Sequence, residues 1–117
     1  MAGLNEVVRA LGERRDVATV VLASADGLAI HQAGREPADA DAVAALAAAF
    51  GRHAGALTEA LGHGVPDTAV LESGERLAIA ARLGGMDWLI VVPDAGADAG
   101  ALLYDLRRHR AALAALL

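Results

Sequence analysis

The sequence predicts an α+β fold with its elements in the order α-β-β-α-β-β-β-α. Three observations carry that reading. Apolar residues recur at helical spacing near both ends and across a long alanine-rich middle segment. Five short apolar runs fall into a pair and a trio, and within each group the connections are tight, glycine-bearing turns too short for crossovers. Two of those runs, VATVVLA and WLIVV, are apolar on both sides, as strands buried between two layers are. Two covered faces need helices on each, so the long middle helix is placed on one face and the two terminal helices on the other.

Taken in order, Leu4, Val7, Val8 and Leu11 form the apolar face of a short first helix. Asp16 leads into the strand VATVVLAS. Asp26-Gly27 follows, a two-residue hairpin signal because both positions favour positive φ. The return strand is LAIHQA, with Leu28, Ile30 and Gln32 expected on one face. Gly34 to Pro37 break the chain before a helix from about Asp39 to Leu61. Gly62 and Gly64 offer positions that end it, and Pro66 prevents continuation. TAVLES, RLAIAARL and DWLIVVP then form an antiparallel meander, with turns at Ser73-Gly74 and Gly84-Gly85. The last helix runs from near Asp98 to Leu117, with Leu102, Leu106, Leu113 and Leu116 on its apolar face and Leu103 and Leu117 alongside. No linker, repeat or charge block interrupts this order, so residues 1–117 read as one domain.

The middle helix is the most informative element. Val43, Leu46, Phe50, Leu57 and Leu61 share one side with Ala54, and this side is expected to pack on the helix's own sheet. Beside it runs a stripe of small residues, Ala44, Ala48, Gly51 and Gly55, with Thr58 at its edge. An interior glycine costs a helix about 1 kcal/mol relative to alanine. Two of them on one flank suggest the close approach of another backbone, and the same helix of a second copy is the natural candidate. The composition agrees: 56% of the 117 residues are hydrophobic, and a domain this small has too much surface to hide them all by itself. A GC-rich genome contributes too, since all ten basic residues are arginine.

Several classes of function are excluded. A net charge of −5 and an aromatic content of 3% do not suit a nucleic-acid partner. The chain has no cysteine, which removes disulfides and thiolate chemistry. No apolar run reaches the length of a membrane span, and MAGLNEVVRALGERR reads as an amphipathic helix and not as a secretory signal. Cytoplasmic location follows as the expectation.

The ordered set of features resembles the Roadblock/dynein light chain family, and within it the bacterial MglB-like members. The resemblance runs from about Leu4 to Leu113. It rests on the opening amphipathic helix, the VVLASADGLAI hairpin, the alanine-rich middle helix, the segment LESGERLAIAARLGGMDWLIVV, a glycine at Gly100 and an arginine-bearing last helix. It implies a five-stranded antiparallel sheet in the order 2-1-5-4-3. It also implies a homodimer joined through the middle helix and the third strand, Thr68 to Glu72, into one continuous sheet. The interface residues it suggests are Ala44, Ala48, Gly51, Arg52, Gly55, Thr58, Thr68, Val70 and Glu72. Such dimers are platforms for small Ras-like GTPases. Some stimulate GTP hydrolysis, and others are subunits of larger assemblies.

The residues themselves offer little catalytic chemistry. His31, His53, His63 and His109 make no metal-binding spacing, so no metal or other cofactor is expected. His63 suits a helix C-terminus, where a cation is favoured, and His109, among leucines of the last helix and one turn from Asp105, reads as a packed, hydrogen-bonded residue. No carboxylate pair is spaced for acid/base work, Ser24 and Ser73 lack a nucleophile context, and no phosphate-binding loop or lysine is present. Arg107, Arg108 and Arg110 read as a solvated face. The chain is therefore expected to be a non-enzymatic, homodimeric platform that modulates a Ras-like GTPase. The alternatives are a scaffold subunit of a larger assembly and a small-molecule-sensing module.

Overall fold

The computed structural model describes residues 3–117, so Met1 and Ala2 of the opening segment lie outside the described residues. The elements are α1 (Leu4–Glu13), β1 (Val17–Ala23), β2 (Ala29–Gly34), α2 (Ala40–Ala60), β3 (Thr68–Ser73), β4 (Arg76–Arg82), β5 (Trp88–Pro93) and α3 (Ala99–Ala114). The five strands form one sheet in the order β2-β1-β5-β4-β3. All neighbouring pairs are antiparallel. Fold class, element order and sheet order agree with the sequence expectation.

Register divides the sheet residues between two cores. Val20 lies opposite Val91 and Leu22 opposite Leu89, while Ile79 pairs with Val91 on the other side. These residues meet Val8 of α1 and Leu102, Leu106 and Leu113 of α3 in the larger core. Burying a side chain of that size contributes about 1.5–3 kcal/mol relative to leaving it in water, so this layer supplies most of the hydrophobic stabilisation. The opposite face is built from smaller parts: Ala23 and Ala80 of the sheet, Ala44 and Ala47 of α2, and the fully buried Trp88, with Phe50 at the margin.

Both long helices begin on aspartate caps. Asp39 Oδ1 accepts the amide of Ala42 at 3.1 Å, and Asp98 Oδ1 accepts that of Ala101 at 3.1 Å, satisfying amides that have no partner within the helix. α2 ends on backbone geometry. The His63 amide donates to the Thr58 carbonyl at 2.8 Å and the Gly62 amide to Glu59 at 2.9 Å, with Gly62 at φ +75°. This is the paired arrangement of a Schellman ending. His63 closes the helix end, as expected of its position, and does so through its backbone amide.

The β1–β2 connection differs from expectation. No residue other than glycine has positive φ among the described residues, so Asp26-Gly27 is not the two-residue turn expected. Gly27 N–H instead donates to the Ser24 carbonyl at 2.9 Å and the Ser24 amide to Leu28 at 2.9 Å, closing a wider turn with only Gly27 left-handed, at φ +85°. The irregularity continues into β2. Leu22 faces His31 while Ala23 faces Ala29, leaving Ile30 as an extra residue. Such a bulge disturbs the pairing of the edge strand, yet burial still alternates along it, with Leu28, Ile30 and Gln32 all exposed.

Two ionic clusters tie the helices to the sheet. Arg14 donates to Asp16 at 2.9 and 2.8 Å and to Asp105 at 3.2 Å, joining the end of α1 to α3. Asp67, before β3, accepts from Arg82 and Arg110, and Arg110 Nε also donates to the Arg82 carbonyl at 2.7 Å. Arg110 is therefore a structural anchor of α3, which corrects its reading as part of a solvated face; Arg107 and Arg108 are exposed.

Candidate interaction surface

The two stripes of α2 lie the other way round from the sequence expectation. The small stripe packs on the chain's own sheet: Ala44 is fully buried, and Ala48 and Gly51 are buried beside it. A β-carbon on Gly51 would stand 2.3 Å from Trp88 Nε1 and 2.9 Å from Cε2, so glycine is what lets the helix lie against the indole. The backbone approached at Gly51 belongs to the chain's own strand layer. Of the side chains expected inside, Leu46 at 69% exposure, Leu57 at 62% and Leu61 at 58% face outward, while Val43, Phe50 and Ala54 are half-buried and Phe50 packs on the chain's own core as expected. The physical reason is size. A helix resting on alanines and one large indole sits close to the sheet, and the surface beneath it has no room for leucines.

The remaining suggested residues of α2 lie away from the leucine flank, with Arg52 on the opposite side of the helix. Gly55 faces open space, where an added β-carbon would meet nothing within 4 Å. Thr58 turns its hydroxyl back onto the Ala54 and Gly55 carbonyls of its own helix, each at 3.2 Å. Arg52 is exposed. On β3, Thr68 is half-buried opposite Ala81, Val70 is 47% exposed opposite Ile79, and Glu72 is exposed opposite Leu77. β3 is the last strand of the sheet. Its outer main-chain groups carry no ladder partner among the described residues, and that is a template for pairing with another strand.

Between α2 and the β3 end of the sheet runs an apolar groove of about 370 Å³. Leu46 and Phe50 form its helical wall, and Leu71, Ala78 and Ile90 line the sheet side. α2 lies chiefly over β1, β2 and β5, and Leu71 of β3 beside it is left 51% exposed. Phe50 also meets Trp88 edge-on, with ring centres 6.2 Å apart, which links the groove wall to the buried indole. Leu46, Phe50 and Leu71 belong to this surface and were not among the residues the sequence suggested for it. The periodicity of α2 showed two apolar flanks; only the bulk of Trp88 against the small size of Ala23 and Ala80 decides which flank faces inward.

Electrostatics support structure here more than chemistry. The hydrogen bond from Arg110, with a lesser one from Arg82, holds the Asp67 carboxyl below the usual carboxylate range. Hydrogen bonds from Arg14 do the same for Asp16, and Asp16 in turn raises Arg14. Among the described residues no three His, Asp or Glu side chains converge as a metal site would require. His109, expected packed and hydrogen-bonded, is exposed on the rim of a cleft between α1 and α3.

A five-stranded antiparallel sheet with a long helix on one face, two terminal helices on the other, and an apolar flank open beside an edge strand defines an α+β domain with a surface suited to association. A family model of the Roadblock/LC7 domain matches residues 3–92, and the chain belongs to that family. Its fold is similar to that of Myxococcus xanthus MglB, with a TM-score of 0.87 and 20% identity over 97% of this chain and 93% of the other. The gliding protein MglB from Thermus thermophilus gives 0.84 and 20% over 99% and 92%. A Roadblock/LC7 domain from Streptomyces avermitilis gives 0.78 and 28% over 97% and 92%. A comparison with curated protein sequences gives no match.

Proposed function

We propose that the chain is a non-catalytic, cytoplasmic homodimeric platform that binds a small Ras-like GTPase and modulates its nucleotide cycle. The observation that carries the dimer is the outward flank of α2 beside the uncovered sheet. Val43, Leu46, Phe50, Ala54, Leu57 and Leu61 are spaced almost symmetrically in sequence about Arg52. An antiparallel pair of α2 helices crossing there sets Leu46 of one copy beside Leu57 of the other, and Val43 beside Leu61. Each copy would cover the other's groove. The free edge of β3, with Thr68, Val70 and Glu72, would meet its counterpart and continue the sheet. Phe50 and Ala54 would lie close to the two-fold axis, and Arg52 would point away from the seam on the far side of the helix.

This arrangement differs from the one the sequence suggested in which residues meet. Ala44, Ala48 and Gly51 set the depth of the helix on its own sheet, and the leucines make the contact between copies. Exposed apolar area of this extent on a small domain marks an interaction site. The GTPase part of the proposal rests on the family's bacterial members and on a surface that offers binding without converging acid/base groups.

Affinity capture tests it. The wild-type protein is immobilised and exposed to source-cell lysate with a non-hydrolysable GTP analogue or with GDP. The expected result is retention of one small GTPase in one nucleotide state. Retention of a fixed set of proteins irrespective of nucleotide would replace this reading with that of a scaffold subunit.

A further inference from the structure

The terminal helices leave a second opening, on the face of the sheet away from α2. Arg14, at the C-terminal end of α1, is bonded to Asp105, near the middle of α3. A cleft of about 530 Å³ opens between the two helices. Val7, Leu11, Leu106, Leu113 and Leu116 supply an apolar floor, and Ala10 and Ala112 form low walls. None of these residues belongs to the α2 flank.

Charge distinguishes the candidate occupants. Glu6 lies on the rim toward one end and makes no ion pair among the described residues. At the other end one arginine, Arg14, is shared between two acids, Asp16 and Asp105. The lining therefore sets two carboxylates, Glu6 and Asp105, against one guanidinium, Arg14, itself shared with Asp16, and His109 lies among them. Glu6 and Arg14 are separated by about 12 Å along α1 at the rise of an α-helix. A narrow apolar trough between two helices fits the ridge of a third helix.

We propose that this cleft receives one amphipathic helix of a partner protein. That helix is apolar along one face, with anchors at i, i+3, i+4 and i+7, and carries basic residues on its flank about two turns apart, one toward Glu6 and one toward Asp105. Its apolar ridge covers Val7 and Leu113, and its cations meet these two carboxylates. The inference is independent of the α2 dimer and of the GTPase reading.

The test is selection from a display library of random helical peptides, with the full chain as bait. Peptides with that apolar spacing and basic flank are expected to enrich. Ala10→Phe and Ala112→Phe fill the cleft from exposed positions and leave the core untouched; each is expected to weaken the selected peptides at least ten-fold, the size of loss that blocking a buried anchor causes. Glu6→Gln is expected to weaken them about three-fold, as loss of one exposed ion pair does. Circular dichroism and sedimentation of the variants should match the parent. Peptides that bind the filled variants as well as the parent would overturn the proposal, as would enrichment of acidic or extended peptides, or no enrichment. Occupation by a long-chain alkylamine with no peptide enriched would overturn it too, in favour of a small amphiphile.

Discussion

Gly51 lies against the indole of Trp88 so closely that a β-carbon there would stand 2.3 Å from Nε1. This contact sets the height of α2 above the sheet and decides which of its flanks is left for a partner. Nε1 is buried without an acceptor, so the indole is held by packing alone, between the helix and Phe50.

The two glycines of α2 should therefore respond oppositely to alanine. Gly51→Ala must push α2 or Trp88 aside, and overpacking of this kind costs about 1–3 kcal/mol, more than the roughly 1 kcal/mol gained in helix propensity. Gly55→Ala meets open space and should stabilise the helix by about 0.5–1 kcal/mol. Urea denaturation of both variants, followed by the fluorescence of the single tryptophan, reads the two signs directly.

Arg110 should matter to the last helix out of proportion to its exposed neighbours. Its guanidinium joins α3 to the Arg82 carbonyl and to Asp67. Arg110→Ala is expected to cost about 1 kcal/mol, the net worth of a partly exposed charged hydrogen bond, and to speed amide exchange in the C-terminal half of α3. Arg107→Ala and Arg108→Ala, on the exposed side, should leave both unchanged.

Acid should loosen the same connections. Asp16 and Asp67 have folded-state pKa values below their unfolded ones, because the carboxylates accept arginine hydrogen bonds. Their contribution is present above the unfolded carboxylate range, about pH 4, and is lost as pH falls through the lower folded values. Stability should therefore decline on acidification below that point. The decline should be shallower in Asp16→Asn and Asp67→Asn, which begin less stable at neutral pH. Thermal melts across the acidic range check both the slope and the offset.

The fold was readable because its signals are local and redundant. Periodicity marked every helix, Asp39 and Asp98 marked where two of them start, and the doubly apolar VATVVLA and WLIVV identified the central strands. The interaction surface was only half readable. The pattern of α2 gives two apolar flanks and says nothing about their orientation. That depends on a residue far along the chain in a different element, Trp88, whose bulk requires glycine and alanine above it. The bulge at Ile30 and the backbone closure at His63 are likewise set by pairing geometry that composition does not encode. Arg110 looked like its neighbours until the path of β4 placed Arg82 and Asp67 beneath it.

The central claim is that the leucine flank of α2, and not its other outward side, joins two copies. Sedimentation equilibrium of two double variants tests it most directly. Leu46→Glu with Leu57→Glu charges the proposed seam, and Ala45→Glu with Ala56→Glu charges the exposed flank on the opposite side. The expected outcome is a dimeric parent, a folded monomer for the leucine pair and a dimer for the alanine pair. A leucine variant that stays dimeric, or an alanine variant that falls apart, would contradict it.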